Sequence, residues 1–131
     1  MLTIRKTLAN ASNLSYNYVE KMQFKKDGKH FLKSLAAELG LVKGTFDISY
    51  NEGGIAVSGE CTLAAESIYV QLSEWCGSHG ISILYRSCKG RKDYTGGPNN
   101  WTTIDKLANR GDSTPQRAFF IEHLKRLGNL V

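Results

Sequence analysis

No run of about 18 consecutive apolar residues occurs in this chain, which excludes a membrane-spanning helix of ordinary length. Cysteine is scarce and poorly spaced for cross-linking. Cys61, Cys76 and Cys88 are three in number, lie 15 and 12 residues apart, and form no CxxC pair. An odd count of that kind does not describe a disulfide framework, and free thiols in a reducing compartment are expected. The three histidines, His30, His79 and His123, are scattered, and only His79 has a cysteine close by, Cys76. Two possible ligands do not make a zinc site, so no metal is expected. The N-terminal MLTIRKTLANASNLSYNYV lacks the apolar stretch of about 7–15 residues that a signal peptide needs, and a non-secreted, cytoplasmic protein is expected. The phosphate-cradling pattern GxxxxGK[ST] is missing too, which leaves a P-loop nucleotidase unsupported. Finally, residues 44–81 hold no Lys or Arg at all, yet contain Asp47, Glu52, Glu60, Glu66 and Glu74.

That last absence gives meaning to what is present. The chain has 131 residues, 41% of them apolar, and a formal charge of +5. This suits one globular domain over residues 1–131 with a modest core. No repeat, low-complexity tract or linker divides it. The positive charge favours polyanionic partners, and it is local: four of the seven residues from Arg86 to Lys92 are cationic.

The apolar pattern changes period along the chain. Leu8, Leu14, Tyr18 and Met22 suggest a helix near 9–24, weakened by Asn10, Asn13 and Asn17. After a break at KKDGK, residues 25–29, a second helix is expected from Lys29 to Leu39. It puts Phe31, Leu32, Leu35 and Leu39 on one face, with Gly40 placed to end it in the left-handed conformation. From Thr45 the period becomes two. Phe46, Ile48 and Tyr50 mark one strand, followed by a turn at Gly53-Gly54. Ile55, Val57, Gly59, Cys61 and Leu63 mark a second strand, Ser67–Ser73 a third, and Ile81–Cys88 a fourth. Links this short predict antiparallel neighbours. Thr102 or Thr103 can cap a short helix through Ile104 and Leu107. Ser113 or Thr114 before Pro115 starts a last helix running to Leu127, with Gly128 past its end. The expected fold is α+β: a four-stranded antiparallel meander over about 45–88, with N-terminal and C-terminal helices packed against the sheet.

The chemistry concentrates in Ile81–Trp101, ISILYRSCKGRKDYTGGPNNW. Alternation leaves two arrangements open: burying Ile81, Ile83 and Tyr85 points Arg86 outward, and reversing the faces points Tyr85 outward. Either way the strand hands over to a loop of binding residue types. Arg86, Arg91 and Lys92 suit phosphate oxygens, arginine through its planar fork of donors. Tyr85, Tyr94 and Trp101 offer faces on which rings stack, worth about 1–3 kcal/mol per nucleobase. Asn99 and Asn100 both donate and accept, and Gly96 and Gly97 let backbone N–H groups approach a ligand. No catalytic constellation emerges. Cys88 would need folding to meet His79, with no acid to orient the pair. Glu60, Glu66 and Glu74 have no spacing that argues for acid–base work.

Two segments, GGIAVSGECTL at 53–63 and ILYRSCKGRKDYTGGPNNW at 83–101, resemble the small phage proteins of the Thoeris anti-defence sponge family. The resemblance covers about 30 of the 131 residues. It implies a non-enzymatic, cofactor-free homo-oligomer that sequesters a cyclic ADP-ribose-type immune signal, with cyclic oligonucleotides as further ligands of some members. It also implies pockets at subunit interfaces, where Arg110 or Arg117 reaches a neighbour's ligand. Residues by themselves leave two competing readings. One is a small basic domain binding nucleic acid through its sheet face and the Arg86–Lys92 cluster, with affinity falling steeply as salt rises. The other is a nucleotide phosphodiesterase.

Overall fold

The computed structural model describes residues 2–9, 18–51, 59–73, 81–93, 95–108 and 113–130. Helices α1 (Lys6–Ala9) and α2 (Tyr18–Glu38) precede four strands, β1 (Phe46–Asn51), β2 (Glu60–Ala65), β3 (Ile68–Ser73) and β4 (Ser82–Ser87). A fifth strand, β5 (Asn100–Thr103), leads directly into α3 (Ile104–Leu107), and α4 (Ser113–Gly128) follows. The strands form one antiparallel sheet in the order β1-β2-β3-β4-β5. The α+β class is as expected, but the meander has five strands instead of four.

The additional strand was hidden because Asn100-Trp101-Thr102-Thr103 has no apolar alternation of its own. It is an edge strand held by β4, with Leu84 opposite Trp101 and Tyr85 opposite Asn100. Its last residue, Thr103, caps α3 by accepting the Lys106 N–H at 3.2 Å.

The N-terminal half differs in another way. No break occurs at residues 25–29: α2 runs unbroken through them. Gly28 is present for packing and not as a stop. A Cβ there would lie 2.6 Å from Cys61 Sγ on β2, so the missing side chain lets helix and sheet approach. The expected ending is found, with Gly40 at φ 72°. The Leu41 N–H reaches the Ala36 carbonyl and the Gly40 N–H that of Ala37, both at 3.0 Å, which satisfies carbonyls the helix leaves open. At the far end of the chain Gly128 is the last residue of α4, and Asn129, at φ 54°, takes the left-handed position instead. Gly128 cannot carry a side chain easily, since a Cβ would meet Ile68 Cγ2 at 2.6 Å.

Alternation along the strands decides which sheet face is covered. Cys61, Leu63, Ile68, Val70, Leu72, Ile83 and Tyr85 turn to the helices and are at most 3% exposed. Phe31, Leu32 and Leu35 from α2, Ile104 and Leu107 from α3, and Phe120 and Leu124 from α4 close over them. Burying one such aliphatic side chain fully contributes about 1.5–3 kcal/mol. The N-terminal segment joins this core through Leu2 and Leu8. It is fixed by the buried carboxylate of Asp27, which accepts from Gln23 Nε2 (2.9 Å), Arg5 Nη1 (3.5 Å) and the Thr7 hydroxyl. A carboxylate so enclosed is tolerable only with such donors around it. Of the expected turns, those at residues 52–58 and 74–80 lie outside the described residues, as do Leu14 and the start of the second strand at Ile55.

None of the described helices packs on the opposite sheet face. It carries Asp47, Ser49, Thr62, Tyr69, Gln71, Leu84, Arg86 and Trp101, and it is the face that positions the site. No helix among the described residues is long and apolar enough to cross a membrane.

Candidate functional site

Tyr85 and Arg86 are adjacent on β4 and point to opposite faces, yet both are buried, at 3% and 5% exposure. The first of the two arrangements holds, with Ile81, Ile83 and Tyr85 facing the helices and Arg86 the opposite face, but the burial of Arg86 there was not anticipated. Tyr85 belongs to the core: its ring meets Phe120 and His123 edge-on, and its hydroxyl is hydrogen-bonded to His123 Nδ1 at 2.9 Å. Burial pushes the phenol pKa up. It offers no face to a ligand. Arg86 is covered from the other side by the loop at 88–97. Its guanidinium lies over the Tyr69 ring, 4.4 Å from the centroid, and Nη2 donates to the Asp93 carbonyl at 3.2 Å. A desolvated guanidinium on an aromatic face gains from the ring quadrupole. Arg86 therefore ties the loop to β3.

Asp93 folds the loop itself. Its Oδ1 accepts from the N–H groups of Thr95 and Gly96 and from the Thr95 hydroxyl, and its Oδ2 accepts from the Lys89 N–H, all within 3.1 Å. Those donors favour the anion and hold the carboxyl well below the usual carboxylate range. The Gly97 N–H goes to the Ser87 carbonyl at 3.0 Å. The amides of Gly96 and Gly97, expected to face a ligand, are thus used within the loop. Gly96 has its own reason to be glycine. It sits at φ 53°, and a Cβ would fall inside the Arg86 guanidinium and 2.5 Å from the Ser87 carbonyl.

The other expected site residues divide clearly. Arg91 is half-buried and crosses to the far edge of the sheet, with Nε 3.3 Å from Glu66 and Nη1 3.5 Å from Asp47. Two acids of the lysine-free stretch therefore offset part of the basic cluster. Asn100 turns inward, its Nδ2 donating to the carbonyls of Tyr85 (3.3 Å) and Pro98 (3.2 Å). Arg117 lies in the helix layer, across the sheet from the loop. It donates to the carbonyls of Leu107 and Leu2 and borders a cleft of about 480 Å³ with Glu38, Ile121 and Lys125. Tyr94 and Arg110 lie outside the described residues, as do Cys76 and His79. Lys89 and Lys92 are exposed on the loop and Asn99 just beyond it, and Trp101 is 51% exposed on the face opposite the described helices.

Within the loop, Ser87, Cys88, Lys89, Thr95 and Gly97 border a hollow of about 320 Å³. Cys88 has its thiol directed to the Ala65 carbonyl at 3.3 Å. Tyr69, Gln71 and Leu84 share the face opposite the described helices, although nothing singled them out in sequence. Their signal was the polar half of each strand's alternation, which looks like ordinary solvated surface until the register is known. The organising role of Asp93 had a local signal, an aspartate two and three residues before Thr95 and Gly96, the pattern of a side chain that bonds the backbone just beyond it.

Comparison with protein-family models, with curated proteins and with solved structures gives no match to this chain.

Proposed function

We propose that this protein binds a small phosphorylated nucleotide at the edge between the 88–97 loop and Trp101, and that it sequesters the ligand without cleaving it. One observation carries the reading: the half-exposed Trp101 ring lies on the sheet face opposite the described helices, four residues after a loop that Asp93 and Arg86 hold in place. A loop held by such contacts costs less to order on binding, and Lys89 and Lys92 are exposed on it. The resemblance to the anti-defence sponge family extends this to a cyclic ADP-ribose-type signal held by a homo-oligomer. Sequestration then acts by mass action, with protein in excess and a low Kd holding free signal below its receptor's threshold.

Calorimetry with cyclic ADP-ribose isomers tests the reading, followed by heat release of the ligand and chromatography. Tight binding and recovery of unchanged ligand are expected, and Lys92→Ala should weaken binding while leaving the fold intact. A cleaved product would sink sequestration in favour of hydrolysis. No affinity for any cyclic nucleotide, together with salt-sensitive binding of single-stranded RNA, would show that this sheet face serves a nucleic-acid backbone instead.

A further inference from the structure

The register of the sheet places five side chains in one row across the face opposite the described helices: Trp101 on β5, Leu84 on β4, Gln71 on β3, Thr62 on β2 and Ser49 on β1. We infer that this row contains a slot for one planar heteroaromatic ring, seated over Leu84 between Trp101 and Gln71. The inference rests on the nucleotide-binding reading above and specifies how the base is held.

Neighbouring strands lie about 4.8 Å apart, so Trp101 and Gln71 are separated by about 10 Å across the intervening β4. Contacting carbon atoms sit about 3.5–4 Å apart, and Leu84 fills the base of this gap, so a single flat ring would rest on top of Leu84 between the two longer side chains that flank it. Leu84 is the one aliphatic member of the row and is only partly covered, so it supplies an apolar floor. Gln71 is oriented for a specific task. The Tyr69 hydroxyl donates to its Oε1 at 2.8 Å, and this engages the amide's acceptor and leaves the two Nε2 hydrogens to meet an acceptor on the ring edge. The same Tyr69 ring is stacked under Arg86, so the glutamine is held through the contact that locks the loop. Beyond Gln71 the row continues as a hydroxyl pair, Ser49 Oγ and Thr62 Oγ1 at 2.6 Å.

Charge gives the slot a direction. Moving along the strands from Leu84 toward Arg86 leads to the loop carrying Lys89 and Lys92. The opposite neighbouring row runs Thr103, Ser82, Ser73 and Glu60, with hydroxyls and an acid but no cation. A phosphate therefore belongs at the loop end. The ligand class this fits is a phosphorylated nucleoside whose base has a hydrogen-bond acceptor on its free edge.

Titration of the full-length protein with adenosine monophosphate and with ribose 5-phosphate, followed by NMR, tests the slot. The base should raise affinity about tenfold or more, the worth of one stacked ring. The Trp101 indole and Gln71 side-chain amide resonances should move with the nucleotide and stay in place with the sugar phosphate. Trp101→Ala should abolish the advantage of the base, Trp101→Phe should keep most of it, and Gln71→Leu should reduce it severalfold. Equal affinity for the two compounds, no binding of the nucleotide, or an advantage that survives Trp101→Ala overturns the slot. If a cyclic ADP-ribose isomer binds equally well to wild type and Trp101→Ala, the slot falls and the sequestration reading stands. If the monophosphate behaves as expected and no cyclic ADP-ribose isomer binds, sequestration falls and the slot stands.

Discussion

The guanidinium of Arg86 lies over the ring of Tyr69, 4.4 Å from its centroid, and the 88–97 loop closes on top of both. This pair joins the basic segment to the sheet. Among the described residues no carboxylate pairs with Arg86, so its charge is met by the ring and by backbone carbonyls.

Arg86→Leu should therefore destabilise the fold by about 2–4 kcal/mol, since it removes a desolvated cation–π contact and charge-assisted hydrogen bonds to carbonyls left in place. Arg86→Lys should recover little, because an ammonium cannot stack and bond in the same plane. Urea denaturation measures both. A loss under about 0.5 kcal/mol for either variant would show that the loop holds without this contact.

At Gly28 two effects oppose each other. Alanine in a helix interior normally gains about 1 kcal/mol over glycine. Here its Cβ would stand 2.6 Å from Cys61 Sγ, so Gly28→Ala should destabilise by about 1–3 kcal/mol. Cys61→Ala removes the obstructing sulfur, and the double variant should be more stable than the sum of the single effects by about 1 kcal/mol or more. Strict additivity in thermal or denaturant unfolding would show that sulfur and glycine do not meet.

The Cys61 thiol is fully enclosed, and burial pushes its pKa up to about 12. A raised thiol pKa contributes stability below the ordinary value of 9.0, and that contribution is lost as pH rises through the folded pKa. Iodoacetamide at pH 8–9 should leave Cys61 unmodified in native protein and alkylate it readily in denaturant, as read by peptide mass spectrometry. Rapid native labelling would contradict the enclosed site.

Asp93 titrates in the other direction. Its folded pKa is depressed below the ordinary 3.8, so its contribution is present above that value and is lost as pH falls through the folded pKa. Loop order, followed by amide exchange at Thr95 and Gly96, should persist through pH 4 and fade only in stronger acid. Asp93→Asn should weaken protection at Lys89, whose N–H loses a carboxylate partner, and should flatten this acid dependence. An Asp93 carboxyl titrating at or above 3.8 would contradict the hydrogen-bond pattern.

Much of the architecture was legible in the chain by itself. The period of two fixed β1, β3 and β4 to within a residue or so, because one covered face imposes alternation wherever a strand crosses the core. The left-handed glycine after α2, the threonine cap of α3 and the Ser-Thr-Pro start of α4 were local chemistry, and local chemistry is read locally. Tertiary structure decided the rest. It carried α2 through Gly28, because a glycine that breaks an isolated helix also permits close approach to a sheet. It made a strand of Asn100–Thr103 through pairing with β4 alone. In the basic segment it separated residue types that look equivalent in sequence. Tyr85 went to the core, Arg86 under the loop, Arg91 to Asp47 and Glu66, and Asn100 to backbone carbonyls. Composition names the groups able to bind a nucleotide. Only the fold determines which of their donors and faces are already occupied, because hydrogen bonds and ring contacts inside the protein compete for the same atoms that a ligand would use.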